Sequence, residues 1–242
     1  MFYKKLKAFF VKYFFSEKWR CNICGKEIFD EGYFCSECYK ALPFNDKAIC
    51  NHCGRSLTVP QQYCSTCREI LLSVDKARSV FVYDKPISSL IKRAKYDKKL
   101  YLLDVFADFL ANKYLKSYFN ADYICYVPMT ERAKRKRGFN QGEILAKKVG
   151  EKVNVEVVDL LEKVKETTRQ AKLGRAERLK NLENAFRVKS RKIVKDKTIV
   201  IIDDVSTTGA TSESIAKKLK SAGAKNVYLL TVASVSPKLG YQ

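Results

Sequence analysis

Four CxxC pairs constrain this chain more than any other feature. Cys21 and Cys24 are followed by Cys35 and Cys38, and Cys50, Cys53, Cys64 and Cys67 repeat the same spacing. The two blocks share wording, CNICGKEIFDEGYFCSEC against CNHCGRSLTVPQQYCSTC, so one structural unit is used twice at a 29-residue period. A CxxC turn aims two thiolates at one point, and two such turns complete a tetrahedral four-thiolate shell that suits zinc. Whether one or two such sites form, a closed shell of four cysteines keeps no open coordination position and reads as structural. A segment this short has too little core to fold alone, so bound zinc is expected to supply most of its folding free energy. The ligands pair either sequentially, as Cys21, Cys24, Cys35, Cys38 and then the rest, or interleaved between blocks; the short intervening loop favours the sequential form. His52, inside its CxxC, reads as a surface residue, and Cys125, within YICYVP, as a small buried apolar one.

The opening MFYKKLKAFFVKYFFSEKWR carries Phe2, Leu6, Phe9, Phe10, Tyr13 and Phe14 at helical spacing opposite a lysine face. It is a poor signal peptide and too short and charged to span a bilayer. Residues 1–20 are therefore expected to form an amphipathic helix that docks on a partner, on its own protein, or peripherally on an anionic membrane. A cytoplasmic, reducing setting follows, with the inner face of the membrane as the accompanying expectation, and disulfides are the weaker reading of the cysteines.

The remaining organisation is expected to be a tandem four-cysteine zinc module over 21–72 and an α/β domain over 76–242. SVFVYD reads as a strand, and Pro86 opens a helix. YLLDVFADFLANKYLKSYF has helical periodicity with Leu103, Phe106, Phe109 and Leu110 on one face. YICYVP is a strand, GEILAKKVGEKV a helix and VEVVDLLEKV largely extended. KTIVIIDD is a continuous apolar run, SESIAKKLKSAG a helix closed by Gly223, and NVYLLTVAS a last strand. Strands apolar on both faces, alternating with amphipathic helices, describe a parallel sheet covered on both sides.

Ligands of such sheets sit beyond the carboxyl ends of the strands, where Asp203 and Asp204 fall. The loop that follows is small, hydroxylated and centred on Gly209. Its N–H groups and the next helix start form an anion cradle, and Gly209 allows close approach of backbone to phosphate. Paired carboxylates suit vicinal hydroxyls or magnesium. Acids beside a phosphate cradle fit one ligand carrying both a phosphate and a ribose diol.

VIIDDVSTTGAT resembles the 5-phosphoribosyl-1-pyrophosphate (PRPP) signature of type I phosphoribosyltransferases. The resemblance implies a Rossmann-like parallel-sheet domain in which Asp203 and Asp204 hold the ribose hydroxyls, with Mg²⁺ accompanying PRPP. It further implies that Ser206, Thr207, Thr208, Gly209, Ala210 and Thr211 hold the phosphate. Together with the tandem CxxC pairs, the segments PMTERAKRKRGFNQ and TTRQAKLGRAERLKNLENAF are similar to the ComF family. That likeness covers nearly the whole chain. It implies an N-terminal double zinc ribbon and a role in natural transformation, handling single-stranded DNA beside a ComFA-like helicase ATPase. In family terms Pro128 through Arg132 to the Arg137–Gln141 block is the pyrophosphate-loop region. Gln170, Arg178, Asn181 and Phe186 belong to a mobile hood.

The residues themselves point the same way. Lys and Arg total 47 against 26 Asp and Glu, a net charge of +21 that favours a polyanionic partner, with a lysine-rich host composition as the plain alternative. Arg132, Lys134, Arg135, Lys136 and Arg137 follow a strand end and would ring the cradle, where they neutralise pyrophosphate or grip a nucleic-acid backbone; a solvated loop is the alternative. Arg132 and Arg137 are the candidate catalytic cations. Lys134, Arg135, Lys136, Arg169, Lys172, Arg175 and Arg178 are the candidate nucleic-acid contacts. The segment KVKETTRQAKLGRAERLKN reads as a mobile lid or a segment that orders on binding, and Phe139, Tyr96 and Tyr101 as candidate base-stacking residues or ordinary core. Whether the chain is an enzyme stays open. The competing readings are a DNA-handling protein with a PRPP pocket, a salvage-type phosphoribosyltransferase, and a zinc-stabilised scaffold with a relic pocket.

Overall fold

The computed structural model describes residues 20–29, 32–70, 72–166 and 181–236. Along the chain run α1 (Ser36–Lys40), α2 (Ser65–Glu69), β1 (Lys76–Val82), α3 (Ile87–Tyr96), α4 (Tyr101–Lys116), β2 (Tyr123–Tyr126) and α5 (Glu131–Arg137). There follow α6 (Gln141–Val153), β3 (Leu161–Lys163), β4 (Phe186–Val188), α7 (Arg191–Val194), β5 (Thr198–Ser206), α8 (Ala210–Ser221) and β6 (Asn226–Ser234). The amphipathic segment expected over 1–20 falls, but for Arg20, outside the described residues.

The apolar runs of β5 and β6 become the middle of a four-stranded parallel sheet ordered β1-β6-β5-β2. Ile199 through Ile202 are completely buried, as expected of strands covered on both faces. Alternate residues divide between the two faces. Ile199, Ile201, Val227 and Leu229 share one cluster with Ile215, Ala216 and Leu219 of α8. On the other face α6 packs against β2 and β5, and α4 against β1 and β6. Each fully buried Leu or Ile contributes about 1.5–3 kcal/mol. α8 ends on Gly223 at φ 97°, and the Gly223 carbonyl accepts the Asp196 N–H at 2.8 Å.

The stretch read as extended over VEVVDLLEKV divides in two. Its first half runs along the outer edge of β2, with Val158 N–H donating to the Ile124 carbonyl at 2.9 Å. Its second half, β3, pairs antiparallel with β4 in a separate two-stranded sheet.

The chain divides into two compact units, Met1–Leu42 and Pro43–Gln242, so the two cysteine blocks, read in sequence as one module, fall in different units. In the first unit, Cys21 N–H donates to the Lys26 carbonyl at 2.8 Å, and Lys26 pairs with Glu37 at 2.9 Å. In the second, the cysteine block is joined to the sheet through β1. Asn45 N–H donates to Val80 O at 2.9 Å, and Ala77 N–H to His52 O at 2.7 Å. Gly54, at φ 66°, lies so close to β1 that a Cβ would sit 2.3 Å from Ala77 O. The buried amide of Asn45 donates to Gly54 O at 2.8 Å and to Ser79 Oγ at 2.6 Å. The second block therefore draws order from hydrogen bonds to the sheet as well as from its thiolates, which the cysteine spacing does not reveal. Among the described residues no helix is long and apolar enough to cross a membrane.

Candidate ligand pocket and metal centres

The thiolates gather sequentially. Cys21, Cys24, Cys35 and Cys38 form one cluster and Cys50, Cys53, Cys64 and Cys67 another, the sulfurs of each within 4.8 Å of one another. The interleaved pairing is thereby overturned. Cys24 and Cys35 Sγ lie 3.7 Å apart, as do Cys53 and Cys64 Sγ. A tetrahedron of sulfurs about 2.3 Å from zinc has edges of about 3.8 Å, so both clusters fit structural zinc. Cys35 and Cys64 stand at the N-termini of α1 and α2, and Cys64 N–H donates to Cys50 Sγ at 3.4 Å. His52 is not among the clustered ligands. It is half-buried rather than on the surface, and its Nε2–H donates to the Val74 carbonyl. Cys125 is 1% exposed, as an apolar core residue would be.

At the carboxyl end of β5, Asp204 is buried and Asp203 half-buried. Asp203 Oδ1 accepts the Asp204 N–H at 2.8 Å. Asp204 Oδ2 accepts from Gln141 Nε2 at 3.0 Å and pairs with Lys95 Nζ. Among the described residues the nitrogen donors thus fall on Asp203 Oδ1 and Asp204 Oδ2, and the two carboxyls also act on one another side chain to side chain. Burial, and next the Asp204 charge, push the Asp203 carboxyl up to about 7, against a smaller opposing pull from Lys95.

Each partner is placed by its element. Ile87, Leu90, Ile91 and Ala94 bury one side of α3, which carries Lys95 toward Asp204. Asn140 caps α6: its Oδ1 accepts the Gly142 N–H at 3.0 Å while its Nδ2 donates to Val127 O at 3.1 Å. That fixes Gln141 over the strand ends. Arg137 Nη1 then donates to Gln141 Oε1 at 2.6 Å, and the guanidinium lies 5.8 Å from the Tyr96 ring centroid.

Below the acids, Gly209 adopts φ 74° and starts α8, a left-handed conformation that glycine adopts at little cost. Thr208 Oγ1 accepts from Ala210 N–H at 3.4 Å, and Ser212 Oγ donates to Gly209 O at 3.0 Å. Thr207 is exposed, Ser206, Thr208 and Thr211 half-buried, and Ala210 buried. The cradle therefore presents hydroxyls and the α8 N-terminus. The linker entering β1 is tied to α8, since Ser73 N–H donates to both carboxylate oxygens of the buried Glu213 at 3.0 Å.

Of the basic cluster, Arg137 joins the acid network through Gln141, whereas Arg132, Arg135 and Lys136 are exposed on α5. These cations sit on a short helix rather than in a loop. Lys134 pairs with Glu143 at 3.2 Å. Thr130, which caps α5, donates to Glu166 Oε1 at 2.5 Å. Phe186 is buried in the core, Asn181 is half-buried, and Tyr101 accepts from Arg93 at 3.2 Å. Tyr96 is largely exposed and Phe139 half-buried. Arg169, Gln170, Lys172, Arg175 and Arg178 lie outside the described residues. Lys95 and Glu213 carry no sequence signature. Gln141 could have been singled out, since it ends the RGFNQ block.

Comparisons with known proteins agree with this anatomy. Residues 10–68 match the double zinc ribbon domain family and residues 135–238 the phosphoribosyl transferase domain family. The chain is 38% identical to "Competence protein ComFC" of Streptococcus pneumoniae over 62% of its length and 64% of that protein, a little under two thirds of the relative. It is 28% identical to "Competence protein F" of Haemophilus influenzae over 88% of its length and 83% of that protein. It is 31% identical to "DNA utilization protein YhgH" of Salmonella typhi over 62% of its length and 67% of that protein.

Proposed function

The chain belongs to the ComF family of competence and DNA-utilization proteins, and on that premise we propose that it serves DNA uptake with a working pocket for a phosphoribosyl ligand. The ligand class is PRPP with Mg²⁺ or a related ribose phosphate. The observation that carries this is the acid pair at the carboxyl end of β5, its nitrogen donors gathered on Asp203 Oδ1 and Asp204 Oδ2, followed in the chain by a glycine-started helix suited to a phosphate. Asp203 and Asp204 would accept the 2′ and 3′ hydroxyls, and the Ser206–Thr211 segment would hold the 5′-phosphate. Arg137, held by Gln141 and Tyr96, is the cation best positioned to meet a pyrophosphate. Mg²⁺, when bound with the ligand, would neutralise its pyrophosphate.

The second polyanion in this reading is single-stranded DNA, supported by the net charge of +21 and by Arg132, Arg135 and Lys136 exposed on α5. A ComFA-like helicase ATPase is the partner that a DNA-uptake role calls for. A scaffold with a relic pocket is the second reading, and the ion pair of Lys95 with Asp204 favours it, because a cation already answers one of the acids. Calorimetric titration of PRPP with Mg²⁺ into zinc-loaded protein decides between them. Saturable binding that is lost in Asp203→Asn, Asp204→Asn supports the pocket, and absence of binding to folded wild type leaves the scaffold.

A further inference from the structure

The two cysteine blocks are a repeat, and the place where they differ is informative. Lys26 follows the first CxxC-Gly turn and is neutralised by Glu37, 2.9 Å away. Shifted by 29 residues, these positions are Arg55 and Thr66. The cation is kept and the acid is gone. Arg55 and Thr66 also line one cavity of about 40 Å³ together with Thr207, Thr208 and Gly209 of the cradle. That is room for a few waters or one small tetrahedral anion.

The cradle needs such a cation. Residues 205–212, VSTTGATS, carry no charge, and Glu213, which follows them, lines the same cavity. Thiolates of the second cluster line it too. Among the described residues around the cavity, Arg55 is the one Lys or Arg. Its neighbour Arg78 is committed elsewhere: its Nη1 donates to the carbonyls of Asn51 at 2.9 Å and Ala77 at 2.7 Å. The Arg55 backbone is fixed on both sides. Its carbonyl accepts the Cys50 N–H at 2.9 Å, and the preceding Gly54 is pressed on β1.

We propose that Arg55 is a phosphate ligand and that the second zinc ribbon is a wall of the phosphate pocket, bringing a cation to a cradle that has none of its own. The inference rests on the phosphoribosyl reading above and names the group that recognises a phosphate monoester dianion there. Zinc in the second site thereby becomes a condition for anion binding, through the placement of Arg55 rather than through any open metal position.

The test is calorimetric titration of ribose 5-phosphate, and of PRPP with Mg²⁺, into full-length zinc-loaded protein, with zinc content measured for each variant. Arg55→Gln is expected to keep its zinc and bind both ligands roughly 10- to 100-fold more weakly, the loss of a charge-assisted hydrogen bond. Arg55→Lys should recover part of that loss. Thr66→Glu, which restores the ion pair of the first block, should weaken binding as Arg55→Gln does. Unchanged affinity in a zinc-replete Arg55→Gln protein would overturn this inference and leave the phosphoribosyl reading intact. Loss of zinc from Arg55→Gln, with wild-type affinity in Arg55→Lys and Thr66→Glu, would also overturn it, since Arg55 would then serve the thiolates. A wild type that binds neither ligand would sink both.

Discussion

Lys95 and Asp204 lie 109 positions apart in the chain yet form a largely buried ion pair at the end of the central sheet. The ammonium meets the same oxygen that accepts from Gln141, so the pair orients the carboxylate without using its other oxygen. The lysine charge also opposes the upward push on Asp203. Lys95→Met is therefore expected to raise the Asp203 carboxyl further and to shift the pH midpoint of PRPP binding upward. Affinity at neutral pH should fall, by up to about tenfold for each pKa unit that the carboxyl gains. Tighter binding by the variant, read in the same titration, would mean that the lysine stands where the ligand should.

Asp203 itself gives a second handle. Its carboxyl is pushed up to about 7, by burial first and the Asp204 charge next. A folded-state value above the unfolded one means that the folded protein takes up the proton. The associated stability is full below about 4 and is lost as pH rises through about 7. Acid also strips zinc from thiolates, so the informative quantity is the difference between wild type and Asp203→Asn. Thermal melts between pH 5.5 and 8.5 should show the variant gaining on wild type as pH rises, by about 2–4 °C for each kcal/mol. Ligand binding should run the opposite way, strengthening as Asp203 ionises.

The parts legible in the sequence are those whose information is local. Ile199 through Ile202, with two acids directly after them, can only be a buried strand with its polar end at a sheet edge, and the cysteine spacing makes the sequential pairing easy to close. What the sequence hides is registration between distant segments. Lys95 reads as one lysine among many. The CxxC-Gly pattern recurs in both blocks, but Gly25 has open space where a Cβ would go, while Gly54 abuts Ala77 O. Only the folded sheet distinguishes a generic turn from a docking point, and only it shows Arg55 and Thr207 lining one cavity.

That difference between glycines is testable. Both have positive φ, 76° for Gly25 and 66° for Gly54, so alanine at either costs about 1–2 kcal/mol of backbone strain. Gly54→Ala must in addition push its block off β1, and the total is expected to reach about 2–4 kcal/mol. Chelator competition should show the second zinc released more readily in Gly54→Ala, with a lowered melting temperature of the sheet domain. Gly25→Ala should leave the second site's zinc affinity unchanged. Equal effects of the two substitutions on the second site would refute the docking argument.

The basic surface predicts a salt dependence. For single strands each phosphate neutralised contributes about −0.7 to the slope of log affinity against log salt. Arg132, Arg135 and Lys136 are exposed on α5, whereas Lys134 is already paired with Glu143 at 3.2 Å. Replacing the three exposed cations with alanine should make the slope shallower by up to about 2, and Lys134→Ala by less than about 0.7. Fluorescence titrations of a labelled oligonucleotide across a salt series read both numbers directly. Among the described residues Arg132, Arg135 and Lys136 make no hydrogen bond or ion pair with either aspartate or with residues 206–211, so PRPP affinity should survive the triple substitution; a loss would instead return Arg132 to the pyrophosphate site. An unchanged slope would move the DNA path off α5 to another part of a chain whose net charge is +21.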